Sequence, residues 1–407
     1  MNIRKLFLLV FTVCMAAFCY GRDTSSYNIK DLIPIARDLQ TTDILVPYRL
    51  DGKWGFVNQR LEKITDAEYA RCGDVTKYFA LAYKNDAWFV ILCDGQEIKI
   101  GNQRSNPVAI GEEYFTVQEL IPGRDGERYK TTIHSVFDGE IAVLYDCEMP
   151  VSGKSRSLEY IEVIVHDPVT NSGRTNYINA KGELKFPHEE YFGIYSYDES
   201  LGRGVMYNGK EPKQRYAIID KDMNIIKKFS DLSEKFSDGL IAGIDEYEYR
   251  DQEKLEIPGG YYDVNGEKCI SVIFHKAEIH TIAFIQSFNS GVLPCRIVDG
   301  EIHVMGDYST YKKDDWGIID TEGNIIASHI TANRITEFSE GVANIITENN
   351  EGKEEVRLIN TKGEIITKEA FDTIEECVNG YCVAQKDGED YLISAKDGKS
   401  YRCRDFK

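Results

Sequence analysis

Residues 315–326 read DWGIIDTEGNII, and this stretch decides the fold. Trp316 opens it, two apolar residues follow at Ile318 and Ile319, then Asp320, then Gly323 three residues on, then Ile325 and Ile326. Short apolar runs rich in Ile and Val, bounded by Asp, Asn and Gly, read as β-strands. Asp or Asn at the first position of a tight turn hydrogen-bonds the backbone two residues on. Gly three residues later takes a positive φ without steric cost. The stretch is therefore strand, hairpin turn, strand. Trp316 and Ile318 point to one face of their strand and Gly317 to the other. Burying a Trp removes roughly 150 to 250 Å² from water, worth about 4 to 6 kcal/mol. A bare Gly in a strand marks close approach by another group, and a neighbouring aromatic is the expected cover for Gly317.

Working outward, the same skeleton recurs: WGFVNQRLEKI (54–64), WFVILCDGQEI (88–98), NYINAKGELKF (176–186), YAIIDKDMNII (216–226), YYDVNGEKCI (261–270), RLINTKGEIIT (357–367) and YLISAKDGKSY (391–401). Its Asp/Asn position falls at Asn58, Leu92, Asn179, Asp220, Asp263, Asp320, Asn360 and Ser394, in steps of 34, 87, 41, 43, 57, 40 and 34 residues. The double-length step predicts a worn unit near 114–133, and the 57-residue step an insertion. A second element precedes several units: FDGEIAVLY (137–145), FSDGLIAGI (236–244), FNSGVLPCRIV (288–298), FSEGVANII (338–346) and CVNGYCVA (377–384). It adds a turn and a strand, so one unit is about three short strands and two turns. Such a unit cannot bury its apolar face alone, whereas stacked neighbours can. The fold expected is all-β: an array of short antiparallel hairpin repeats in an open, curved, solenoid-like stack, favoured by the irregular steps. A closed β-propeller is the alternative, because blade-sized repeats fit it.

The pattern resembles the WG-repeat family, bacterial repeat units named for a Trp-Gly pair. The resemblance spans about 46–401 and is clearest in KWGFV (53–57) and DWGIIDTEG (315–323), with FSEG and FSDG matching the other half of the unit. Only two units keep the Trp-Gly pair; Phe89 follows Trp88, and Tyr216 replaces the Trp. The resemblance implies an interaction or surface-scaffold module and brings no common active site with it.

The chain has 407 residues, 42% hydrophobic and 28% charged, a globular balance. Arg4 and Lys5 precede an apolar run from Leu6 to Phe18 and a small-residue exit near Gly21. This order reads as a secretory signal peptide over 1–21, too short to span a membrane as a helix. A lipid anchor on Cys19 is disfavoured by the bulk of Phe18. Residues 22–45 form a lead-in, 46–401 the array, with a subdivision conceivable near 186–200, and 402–407 a tail. The formal charge of −19 would become −21 without Arg4 and Lys5. Such a surface repels phosphate backbones and anionic lipid. The address expected is periplasmic, secreted or cell-surface. The expected partner is a protein, with a glycan as the other choice, and no nucleic acid and no membrane span in the mature chain. The mature chain keeps eight cysteines, Cys72, Cys93, Cys147, Cys269, Cys295, Cys377, Cys382 and Cys403, whose 105 possible pairings sequence leaves open.

Signatures of chemistry are weak throughout, and no catalytic, cofactor-binding or metal residue is expected. Gly153-Lys154-Ser155 ends like a phosphate loop, but Glu148 stands where its first Gly belongs. DVNGE (263–267) resembles part of a calcium loop, yet its place in the repeat makes it the turn. His188-Glu189-Glu190 starts like a metalloprotease helix, but Phe192 occupies the second ligand position. His134, His166, His188, His275, His280, His303 and His329 read as surface or cross-strand residues. Carboxylate pairs could be assembled from 67 acidic residues without meaning. The polar stretches 146–173 and 245–259 read as insertions. The second, DEYEYRDQEKLEIPG, is acidic with Tyr247 and Tyr249 on one side if extended, which makes it a candidate interaction loop. GIYSYD (193–198) and EYEYR (246–250) are the stretches a sugar could stack on.

Overall fold

The computed structural model describes residues 44–122, 127–149, 158–159, 161–166, 173–185, 193–207, 214–245, 256–275, 286–305 and 312–407. The leader at 1–21, nearly all of the lead-in, the phosphate-loop look-alike at 150–155, His188, His280 and loop residues 246–255 lie outside them.

The described chain is all-β apart from a short 3₁₀ turn at Cys403–Asp405. Its strands form eight sheets of short antiparallel hairpins, one of which spans two repeats, so nine units follow one another. The ninth unit shows the pattern: Thr373–Val378, Tyr381–Lys386, Glu389–Ser394 and Ser400–Arg402 pair in chain order. The usual unit thus has four strands, one more than the sequence indicated. The extra one is the leading strand, which in three units is only two residues long, Cys147–Glu148, Asp231–Leu232 and Arg334–Ile335, and there offers no periodicity to read. The worn unit is present as the hairpin Tyr114–Pro122 with Glu127–Ser135. The supposed insertion at 146–173 is a correction: it carries Cys147–Glu148 and Ile161–His166, two strands of the fourth unit. The 57-residue step contains a true addition, Glu301–Met305, which pairs in parallel with Lys268–His275 and fuses units six and seven into one eight-stranded sheet.

Apolar clusters lie between units, as expected for repeats that cannot bury a face alone. Phe56 and Tyr69 meet Ala80 and Ile91 between units one and two; Trp316 and Ile318 meet Ile335 and Phe338 between seven and eight. The series does not stop at the end. Val46, Tyr48 and Val57 of the first unit share a cluster with Val383, Leu392 and Cys403 of the last. No sheet closes on itself, but the array's two ends pack on each other, as in the propeller arrangement. The tail at 402–407 belongs to this joint: Phe406 stacks edge-on against Tyr48 at 5.4 Å.

Trp316 is 1% exposed. Its Gly is covered differently than expected. A Cβ on Gly317 would collide with Ile297 Cδ1 and stand 2.9 Å from the Ala327 carbonyl oxygen, so an aliphatic side chain and the neighbouring strand close that face. In the other Trp-Gly unit the cover is aromatic: a Cβ on Gly55 would meet the Tyr48 ring at 2.7 Å.

Candidate functional site

Two turn types recur, and both consume polar side chains. In the first, Asp320 Oδ1 accepts the N–H groups of Glu322 and Asn324 at 3.0 and 2.8 Å, while Asn324 Nδ2 donates to Oδ2. Gly323 sits at φ 83°. Oδ1 of Asn58, Asn179, Asp220 and Asn360 accepts the corresponding two N–H groups, and in the three Asn turns Nδ2 donates to the Glu four residues on. The Asn324 side-chain N–H, above all, holds the Asp320 carboxyl below the usual carboxylate range. Asp263, in the calcium-like DVNGE, spends its Oδ1 on Asn265 and Glu267 N–H. No group of three or more metal-ligating side chains occurs among the described residues.

The second turn is FxxG, with both central residues at positive φ: Asp238–Gly239, Ser290–Gly291, Glu340–Gly341 and Asn379–Gly380. That is the two-residue hairpin whose twist matches the strands. It aims the side chain before Gly at the next unit. Asp238 Oδ2 accepts Gly291 N–H at 2.8 Å, Ser290 Oγ accepts Gly341 N–H at 3.0 Å, and Glu340 accepts Asn379 and Gly380 N–H at 2.8 and 2.6 Å. Asn379 Nδ2 then donates to the Leu45 carbonyl of the first unit at 2.8 Å. The sequence showed these turns but not their reach. The same hairpin at Asp51–Gly52, Asp299–Gly300 and Asp387–Gly388 went unread, although Asp-Gly is its signature.

Polar contacts reinforce the joint between the ends. Arg49 donates to Glu375 at 2.6 Å and Asp390 at 3.3 Å. Lys63 N–H reaches the Lys407 carbonyl at 3.0 Å. The hairpin that carries Asn379 is crossed by a disulfide, Cys377–Cys382. Cys72, Cys147, Cys269, Cys295 and Cys403 form no disulfide among the described residues, and Cys93 Sγ lies 3.3 Å from the Tyr78 carbonyl.

The described histidines all lie on strands, and two of them are buried. His134 is 1% exposed, stacked on Phe115 at 5.2 Å, and neither ring nitrogen has a partner. Burial pushes its pKa down to about 4, with Lys130 adding to the effect. His303 is also buried and His329 exposed. His275 lies opposite Glu256 in register. Arg296 is fully buried, its guanidinium 4.1 Å from the Trp316 ring and donating to the Lys312 carbonyl at 2.6 Å; nothing in the sequence marked it.

The two tyrosines of GIYSYD separate. Tyr197 turns inward, edge-on to Tyr177 at 5.9 Å, its N–H donating to Tyr177 Oη at 2.8 Å. Tyr195 is the extra residue of a bulge between Ile194 and Ser196 and is 41% exposed. It meets Tyr207 at 5.9 Å and Tyr216 at 6.0 Å, and those two meet at 5.1 Å. Of the acidic insertion, only its ends are described. Asp245 is held there by Lys227 at 2.7 Å, Lys268 at 3.3 Å and the Tyr262 hydroxyl at 2.5 Å.

These features define an all-β repeat protein whose recurring polar turn positions bond within and between units. Residues 316–350 and 357–389 match the family described as WG containing repeat, so the chain carries WG repeats over those two segments. None of the curated proteins compared with the chain matches it. Similar solved structures include the β-propeller domain of the Trilobed protease from Pyrococcus furiosus, 10% identical, covering 74% of this chain and 96% of that one with a TM-score of 0.34. The Pyrococcus horikoshii acylaminoacyl peptidase is 12% identical at a TM-score of 0.35; the match covers 74% of this chain and 52% of that one. Prolyl oligopeptidase B from Galerina marginata is 10% identical at a TM-score of 0.37, with coverages of 93% and 53%.

Proposed function

We propose that this chain is an exported, non-catalytic interaction module of the cell envelope, a rigid scaffold that offers its surface to a protein partner. The observation that carries this reading is the use of the repeat's fixed polar positions within and between units, as with Asp320 and Glu340. What remains for solvent is side-chain variety on a rigid frame, the usual basis of binding by repeat arrays. On the outer strands, five residues after the turn Asp or Asn, Leu184, Ile225, Ile325 and Ile365 are exposed, while Lys63 and Lys268 take that place elsewhere. The basic start and apolar run at 4–18 support export. Among the described residues no helix is long and apolar enough to cross a membrane.

The test is capture from native envelope with the chain lacking residues 1–21, paired with mass spectrometry of the mature N-terminus. A reproducible protein partner and a removed leader support the reading; a retained Met1 or turnover of a substrate overturns it.

A further inference from the structure

Cations lie over several aromatic rings of this fold, from the buried Tyr69 and Tyr262 to the exposed Tyr145. Lys84 Nζ lies 4.6 Å from the Tyr69 centroid, Lys185 Nζ 4.3 Å from Tyr197, Lys227 Nζ 4.4 Å from Tyr262 and the Arg128 guanidinium 4.9 Å from Tyr145. Such contacts are favourable because the ring face is electron-rich. The Tyr195, Tyr207 and Tyr216 group differs: among the described residues no cation stands over any of its rings. Tyr195 is the outermost of the three, placed there by the bulge. A bulge re-aims one side chain at a cost in pairing, and here the side chain it turns out is an aromatic one.

The surroundings carry negative charge. Glu234 and Asp231 from the next unit's leading edge oppose ionisation of Tyr195, after burial and Tyr207, and Asp231 does the same to Tyr216. Arg215 acts in the other sense at Tyr216. The Ser196 hydroxyl donates to the Glu234 backbone carbonyl at 2.5 Å, tying the two units together at this place. A contiguous aromatic face beside a carboxylate, on a chain of formal charge −19, complements a cation in both short-range and long-range terms.

We propose that Tyr195, Tyr207 and Tyr216 form a docking subsite for a lysine or arginine side chain presented by a basic protein partner. This rests on the interaction-module reading and names the chemistry of one subsite. A neutral sugar would stack on the same rings without needing Glu234 or low salt.

The experiment titrates the folded chain with a hexalysine peptide and, separately, with a neutral glucose hexasaccharide, by calorimetry at low and high salt. Tyr195→Leu removes the π face and keeps apolar bulk; Tyr195→Phe keeps the face; Glu234→Gln removes a charge. Circular dichroism checks that each variant is folded. The expected result is peptide binding that Tyr195→Leu weakens about two- to fivefold, the range for one exposed cation–π contact. Tyr195→Phe should bind as the parent does, and Glu234→Gln and raised salt should both weaken binding. Peptide binding equally strong in Tyr195→Leu overturns the proposal, since the acidic surface alone would then account for it. So does absent peptide binding, or Tyr195-dependent binding of the hexasaccharide alone. Were the peptide to fail while an envelope partner is still captured, only the subsite falls; were both to fail, the module reading falls with it.

Discussion

Glu340 and Gly380 lie in consecutive units, and the carboxylate of the first accepts the backbone N–H of the second at 2.6 Å. The same carboxylate takes Asn379 N–H, so one side chain caps the turn whose Asn379 clasps the first unit. Glu340→Ala should cost about 1 kcal/mol, the value of a solvent-exposed cap of this kind, and Glu340→Gln clearly less. Urea unfolding midpoints decide it; an Ala variant indistinguishable from the parent would show the contact to be incidental.

Trp316 is sealed between units seven and eight, so Trp316→Ala should cost about 3 to 5 kcal/mol. Gly317→Ala should also destabilise, by about 1 to 3 kcal/mol, through overpacking against Ile297. The added methyl crowds the far end of Ile297 and also the Ala327 carbonyl oxygen at 2.9 Å, so an Ile297→Val background should relieve only part of the cost of Gly317→Ala. A double-mutant cycle by urea denaturation measures the coupling; strict additivity would deny the contact.

His134 gives a pH dependence. Its folded pKa of about 4 lies below the ordinary 6.5, so between those values the unfolded chain binds the extra proton. Stability is therefore full above about pH 6.5 and declines as pH falls towards 4, by about 3 kcal/mol in total from this group. His134→Phe should flatten that part of the profile, measured as midpoints from pH 7 to 4. An unchanged slope would locate the acid sensitivity elsewhere.

Arg49 joins the ends of the array. Arg49→Met leaves the Asp390 carboxylate, 6% exposed, without its cation, and should cost about 2 to 3 kcal/mol. Lys63→Met, which breaks a pair with the exposed Asp66, should cost below about 0.5 kcal/mol. Equal effects in thermal or urea melts would mean that the joint contributes no more than a surface ion pair.

How much was legible follows from the range of each interaction. Asp320 bonds residues two and four ahead of it, so the turn, the strands beside it and the repeat could be read directly. The Asp-Gly hairpins were equally local and were overlooked. The leading strands Cys147–Glu148, Asp231–Leu232 and Arg334–Ile335 were too short to show a period. His134 looked like any scattered histidine because burial is a property of what packs above it, here Phe115.

By itself, then, the sequence determined an all-β chain of short repeated units, most with an Asp/Asn turn, several with an FxxG turn, and each with an apolar face in need of a neighbour, because those features depend on residues a few positions apart. Only the tertiary structure decided which side chain covers Gly317, that Tyr195 faces out while Tyr197 faces in, and that the last unit rests on the first. Arg49 and Asp390 are 341 residues apart. Whether they meet depends on small rotations accumulated over every intervening unit, and no short stretch of sequence encodes that sum.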